Sequence, residues 1–115
     1  MQRPINPLEL PTDPPSRIPL SKASSYPVGG VYGLWSDAGE LLYVGQTASV
    51  AGRLVQHRKD PKKSEAVTFC FVAIDKLLER LVTETVEIVR WRPRLNKAVL
   101  LRVSSGGLSE IRWKR

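Results

Sequence analysis

Cysteine and histidine are nearly missing from this chain, which has one of each, Cys70 and His57. A lone cysteine forbids an intrachain disulfide and fits a reducing compartment. One cysteine and one histidine also exclude a Cys/His zinc cage, which needs four ligands. No apolar run reaches the roughly 18 residues of a membrane span, and the N-terminus lacks the apolar core of a secretory leader. A cytoplasmic location with no membrane contact is expected. Acids are scarce beside bases: 11 Asp and Glu against 18 Lys and Arg leave a formal net charge of +7. Nucleic acid is the commonest polyanion to meet such an excess. An anionic protein partner or a need for solubility accounts for the same charge. Internal repeats, zinc-finger spacing and a recognisable helix-turn-helix are absent as well.

A length of 115 residues suggests one domain, and an apolar share of 42% permits a small core. Seven of the nine prolines fall within the first 27 residues. That density removes backbone donors and opposes helix, so residues 1–28 read as an extended proline-rich arm. Its scattered Leu8, Leu10, Ile18 and Leu20 suggest that part of it docks. Val31 to Trp35 and Leu41 to Val44 read as a hairpin around Asp37-Ala38-Gly39-Glu40. Thr47 or Ser49 can cap a helix over Val50 to Lys59, which Pro61 stops. Ala66 to Ile74 is rich in β-formers and reads as a central strand, with Cys70 buried in it. Asp75 is the expected cap of a second helix, Lys76 to Trp91, ended by Pro93. Asn96 to Val103 is ambiguous, Ser104-Ser105-Gly106-Gly107 reads as a linker, and Leu108 to Trp113 reads as an edge strand or part of a basic tail. The order β-β-α-β-α points to an α/β (α+β) fold, with a small, mostly antiparallel three-stranded sheet flanked by helices. Its expected extent is residues 29–103, with 104–115 as the tail.

The second helix contains one misplaced acid. At helical spacing Leu77, Leu78, Leu81, Val82, Thr85, Ile88 and Val89 share a face. Lys76, Glu79, Arg80, Thr83, Glu87 and Arg90 share the other, so Glu79 and Glu87 read as solvated. Glu84 lies at the rim of the apolar face, where a carboxylate needs compensation. It is either a boundary residue reaching water or an arginine, or an oxygen ligand for a hard divalent cation. Arg53 and His57, four apart, share a face of the first helix. They form a solvated basic surface or a pair suited to phosphate binding and proton exchange. Tyr32 and Tyr43 are strand aromatics that pack, or phenols that take part in chemistry. A phenol is a poor base at pH 7 (its ordinary pKa is about 10). The chemical reading therefore needs Arg53, His57 and Glu84 gathered around the tyrosines.

Taken together, these residues resemble the GIY-YIG nuclease family. The first signature stands here as Gly30-Val31-Tyr32 and the second as Tyr43-Val44-Gly45, with valine for isoleucine in each. Arg53 matches the family's helix arginine, His57 its His-or-Tyr position one turn later, and Glu84 its metal-binding glutamate. Arg92-Pro93-Arg94-Leu95-Asn96 matches its Pro-x-x-Asn ending, with Asn96 as the family's asparagine. The likeness runs from about Gly29 to Lys97. One departure is Gln46, where many members carry lysine; Lys59, Lys62 or Lys63 can replace that cation electrostatically.

The resemblance implies a metal-dependent endonuclease that hydrolyses DNA and leaves 5′-phosphate and 3′-hydroxyl ends. Glu84 would hold one Mg²⁺ or Mn²⁺, and Tyr32 would accept a proton from water with His57 beyond it. Arg53 would pair with the phosphate, Tyr43 would position water or phosphate, and Asn96 would bond the backbone or fix its loop. Gln46, Lys59, Lys62, Lys63, Arg94 and Lys97 are the expected nucleic-acid contacts, which position the duplex without reading sequence. RNA or branched DNA would meet the same groups. Two rivals stand beside this reading: a catalytically inactive nucleic-acid-binding module on the same fold, and a basic protein-interaction domain.

Overall fold

Strand β2, Gly30–Ser36, is buried from Gly30 to Trp35 and forms the axis of the fold. The computed structural model describes residues 8–96, 98–102 and 108–112, the last two stretches as backbone alone. Strand β3, Leu41–Thr47, returns antiparallel along one side of β2, placing Tyr32 opposite Gly45 and Leu34 opposite Tyr43. The hairpin turn holds Gly39 at φ 83°, a left-handed conformation that glycine adopts without strain. Strand β4, Ala66–Ala73, pairs antiparallel along the other side. Both faces of the sheet are covered. Val31, Trp35, Val44, Cys70 and Ile74 pack on one with Ile88 of helix α2, Leu77–Trp91. Tyr32, Leu34 and Phe69 pack on the other with Val50 and Leu54 of helix α1, Val50–Arg58. Ser49 caps α1, its Oγ accepting the Gly52 N–H at 3.3 Å.

The main sheet has four strands where the sequence suggests three. Strand β1, Ile18–Pro19, comes from the arm and pairs antiparallel with β4, giving the order β1-β4-β2-β3. Proline is tolerated there because an edge strand needs no outward donor. The arm docks through Leu10, Leu20 and Ala23, all buried, while Leu8 stays exposed. It is not wholly extended: Pro14–Ser16 and Leu20–Ser25 form short 3₁₀ turns. Proline opposes a helix interior but fits its first turn, where no N–H is needed. Arg17 anchors the segment by stacking over the Trp35 ring at 3.8 Å.

Helix α2 departs most from its sequence pattern. It starts at Leu77, with Lys76 at the N-cap and no capping side chain, rather than being capped by Asp75. Glu87, read as solvated, is 1% exposed, and Arg80 is 8% exposed. Leu77, Leu78, Val82 and Val89 face outward instead, with Leu78 at 66%. Periodicity shows which residues share a face, whereas tertiary partners decide which face is covered. Glu87 is compensated in part, by the Trp91 Nε1–H on Oε2 at 3.1 Å and by the Arg90 guanidinium 3.4 Å from Oε1, which accepts no hydrogen bond, and burial raises its pKa. Leu108–Arg112 does form a strand, β6, but it pairs with β5, Ala98–Arg102, rather than with the main sheet. Lys97, the linker at 104–107 and Trp113 lie outside the described residues. Among the described residues no helix is long and apolar enough to cross a membrane.

Candidate active site

The α1 face of the sheet holds a buried phenol bonded to a buried imidazole. Tyr32 projects from the middle of β2 and is 1% exposed, and His57 comes from the last turn of α1. Their Oη and Nε2 atoms are 2.5 Å apart. Burial first, then the charges of Lys63 and Arg53, lowers the His57 pKa to about 4. The imidazole is therefore neutral at pH 7; with the ring proton assigned to Nδ1, Nε2 accepts from the Tyr32 hydroxyl. Burial first, then the charge of Tyr43 and, less, that of Glu84 push the Tyr32 pKa above its ordinary value, with Arg53 opposing. Tyr43, half-buried, sets its ring 6.1 Å from that of Tyr32 and 5.3 Å from that of His57. Lys63 places Nζ 4.8 Å from the Tyr43 ring centre and pairs with Asp60 at 2.9 Å. Gly45 lets the pair form, because a Cβ there would lie 2.5 Å from the Tyr32 oxygen.

Glu84 belongs to the helix that covers the opposite face, yet it reaches this site around the edge of the sheet. Strand β3 is that edge, and its outward backbone groups are taken in sequence. Leu42 C=O accepts the Leu95 N–H, Val44 is bonded on both sides by the Asn96 amide, and the Gln46 N–H lies near enough to Glu84 to favour its charged form. The carboxylate is close enough for its charge to act on Tyr32 and for the charge of Arg53 to act on it. Burial raises its pKa to about 7, more than the Gln46 N–H and Arg53 offset. Arg53 lies exposed on α1, one turn before His57. Of the five groups expected together, Tyr32, Tyr43 and His57 are in contact, and Arg53 and Glu84 lie near enough for their charges to act on Tyr32.

These residues fit a hard divalent cation. Glu84 makes no ion pair among the described residues, and its charge is under-compensated where it stands, which is the condition that a bound cation relieves. Among the described residues no three His, Cys, Asp or Glu side chains cluster. A cation here would have one protein carboxylate and complete its shell with water and substrate, as Mg²⁺ commonly does.

The remaining expected residues divide by surroundings. Asn96 is buried, with both ends of its amide on Val44: Oδ1 accepts the N–H at 2.8 Å and Nδ2 donates to the C=O at 3.0 Å. The Gln46 side chain is held by Arg80, whose Nε donates to Oε1 at 3.0 Å. Lys59 and Lys62 are exposed in and beside the loop after α1. Lys63 is not a loop cation of that kind but sits against Tyr43. Arg94 pairs with Glu40 and Glu65. Arg80 was not expected at the site. The signal available in the sequence was its place one helical turn before the odd acid, on a face that reads as solvated.

A profile of the GIY-YIG catalytic domain matches residues 28–98. Several solved structures of the GIY-YIG N-terminal endonuclease domain of UvrC from Thermotoga maritima share the fold. The magnesium-bound form is 23% identical with a TM-score of 0.58, over 66% of this chain and 92% of that one. An asparagine-to-alanine variant bound to its catalytic divalent cation is 22% identical with a TM-score of 0.59, over 66% of this chain and 91% of that one. No curated protein sequence matches the chain. With more than half of its length matched by the profile, and Tyr32, Tyr43, Arg53, His57 and Glu84 gathered at one edge of the sheet, the chain belongs to the GIY-YIG catalytic domain family.

Proposed function

We propose that this chain is a metal-dependent endonuclease that hydrolyses DNA phosphodiesters, using Tyr32 to activate water and Glu84 to hold one Mg²⁺ or Mn²⁺. The observation that carries this is the 2.5 Å bond from the Tyr32 hydroxyl to a neutral His57, with Glu84 and Arg53 near enough to act on the same phenol. A phenol this buried does not ionise alone at neutral pH. It takes a proton from water only as it passes its own to the imidazole, in one coupled transfer. His57 is poised for that role, since it arrives uncharged with Nε2 free to be protonated. A cleft of about 320 Å³ beside His57, lined by Leu20, Arg58, Lys63 and Ala66 among others, connects the imidazole to solvent. Tyr43, the more exposed phenol, holds the water against Tyr32. Arg53 offers its planar donors to the phosphate oxygens as their charge grows. Lys63 supplies the cation beside the tyrosines that Gln46 does not. A divalent ion at Glu84 contributes Lewis acidity toward the scissile phosphate and the leaving oxygen. Lys59 and Lys62 bind the backbone on either side of the cut.

The test is cleavage of plasmid DNA by the wild type and by Glu84→Ala, with and without divalent ion. Metal-dependent cleavage by the wild type is expected, with a loss of about 10²-fold or more in the variant. Binding without cleavage in both Mg²⁺ and Mn²⁺ would instead identify an inactive binding module. RNA and branched DNA in parallel reactions define the substrate class.

A further inference from the structure

We propose that Arg80 is a positioning residue for the Glu84 cation site, acting through Gln46. The inference rests on the reading of Glu84 as the metal ligand. Arg80 is a buried guanidinium, 8% exposed, and such groups are seldom fully buried without a carboxylate. Among the described residues its partners are all neutral oxygens. Nη1 donates to Asp75 C=O at 2.6 Å and to Ile74 C=O at 3.3 Å, and Nε donates to Gln46 Oε1 at 3.0 Å. Gly29 leaves room for the group, since a Cβ there would lie 3.1 Å from Nη1.

These bonds join the junction between β4 and α2 to the open edge of β3. They meet that edge at Gln46, which lies close enough to the Glu84 carboxylate for its N–H to favour the charged form. Arg80 and Glu84 are one turn apart on α2, so the Arg80–Gln46 bond ties helix to strand within one turn of the carboxylate. Together with the bonds to Ile74 and Asp75 C=O, that tie resists both rotation of the helix and sliding of the strand. The Glu84 carboxylate then keeps its aim when no cation is bound. Arg53 and the Gln46 N–H are the polar groups that act on that carboxylate, so Arg80 influences it through geometry. Supporting residues of this kind commonly change metal affinity by about 10–100-fold when removed.

The test measures Mn²⁺ affinity of the full chain by electron paramagnetic resonance of the free ion, with circular dichroism to confirm folding. Wild type, Glu84→Gln, Arg80→Met, Arg80→Lys, Gln46→Ala and the Arg80→Met/Gln46→Ala double variant are compared. Binding by the wild type and none by Glu84→Gln is the expected frame. Within it Arg80→Met binds at least about tenfold more weakly, and Arg80→Lys recovers part of the loss. Gln46→Ala keeps the backbone N–H, folds without the buried guanidinium being removed, and is also weaker than wild type. The double variant is no weaker than Arg80→Met, because two residues acting as one unit are not additive. In cleavage, Arg80→Met requires more metal for half-maximal rate, while kcat at saturating metal returns to within about twofold, as loss of uniform binding requires. Unchanged Mn²⁺ affinity in folded Arg80→Met and Gln46→Ala, or fully additive losses, would overturn the proposal and leave the Glu84 reading intact. Equal binding by wild type and Glu84→Gln, or none by either, removes both.

Discussion

At the scale of single residues, burial lowers the His57 pKa to about 4 and raises that of Glu84 to about 7. His57 stays unprotonated because desolvation and the positive charges of Lys63 and Arg53 oppose the imidazolium. The chain has one histidine, so its imidazole resonances can be followed by NMR without ambiguity. With a pKa near 4, they should stay flat from pH 8 down to about 5.5 and move only below that. A step centred near 6.5 would mean that the imidazole is solvated and the Tyr32 bond is broken. The sign of the stability effect follows. The unfolded state takes up a proton near its ordinary value while the folded state does so only near 4, so stability falls as pH drops through that window. Gly45 gives a second prediction. Alanine there brings a methyl within 2.5 Å of the Tyr32 oxygen, and that oxygen must move. Gly45→Ala should reduce cleavage by about 10²-fold, the value of one positioned proton-transfer group, while the far-ultraviolet circular dichroism spectrum is retained.

At the scale of elements, the decisive feature is the outer edge of β3. An unpaired edge exposes donors and acceptors that natural sheets cover, and here the cover is also the machinery. Leu95 and Asn96 take outward positions at Leu42 and Val44, and the α2 carboxylate of Glu84 lies beside Gln46, close enough for its charge to act on Tyr32. Asn96→Ala should strand the Val44 N–H and C=O, at a cost of about 2–4 kcal/mol from two unsatisfied buried groups. Urea denaturation would register this as a lower midpoint with an unchanged slope, whereas a cost near zero would show that water replaces the amide. Elements were largely legible in the sequence. The hairpin, the strand at Ala66–Ala73 and both helices appear close to where alternation and prolines place them, although only α1 uses its expected cap. What was not legible is which side of α2 turns inward. Its apolar stripe faces outward at Leu77, Leu78, Val82 and Val89, while Glu87 is buried beside Trp91 and Arg90, and Arg80 beside Ile74, Asp75 and Gln46. The near partners lie within six residues, but Gln46 comes from β3, outside any local window.

For the whole molecule, a net charge of +7 has a measurable consequence. If DNA is the partner, log affinity should fall linearly with log salt, by about 0.9 for each phosphate neutralised. Lys59 and Lys62 are exposed, so replacing both with alanine should make the slope shallower by about 2. Arg94 is engaged by Glu40 and Glu65, so Arg94→Ala should change it by less than about half a unit. A gel shift at graded salt measures all three, and a flat dependence would remove nucleic acid as the partner. The sequence by itself determined the family and the order of the elements, and singled out the candidate site residues, because signatures and periodicity are local and survive in one dimension. Only the tertiary structure decided that the arm supplies a fourth strand, that Asn96 is spent on Val44, that Lys63 rather than its neighbours attends Tyr43, and that Arg80 and Glu84 meet at Gln46. Each of those is a contact between segments far apart in the chain, and its existence depends on which buried polar group finds which partner when the sheet edge closes.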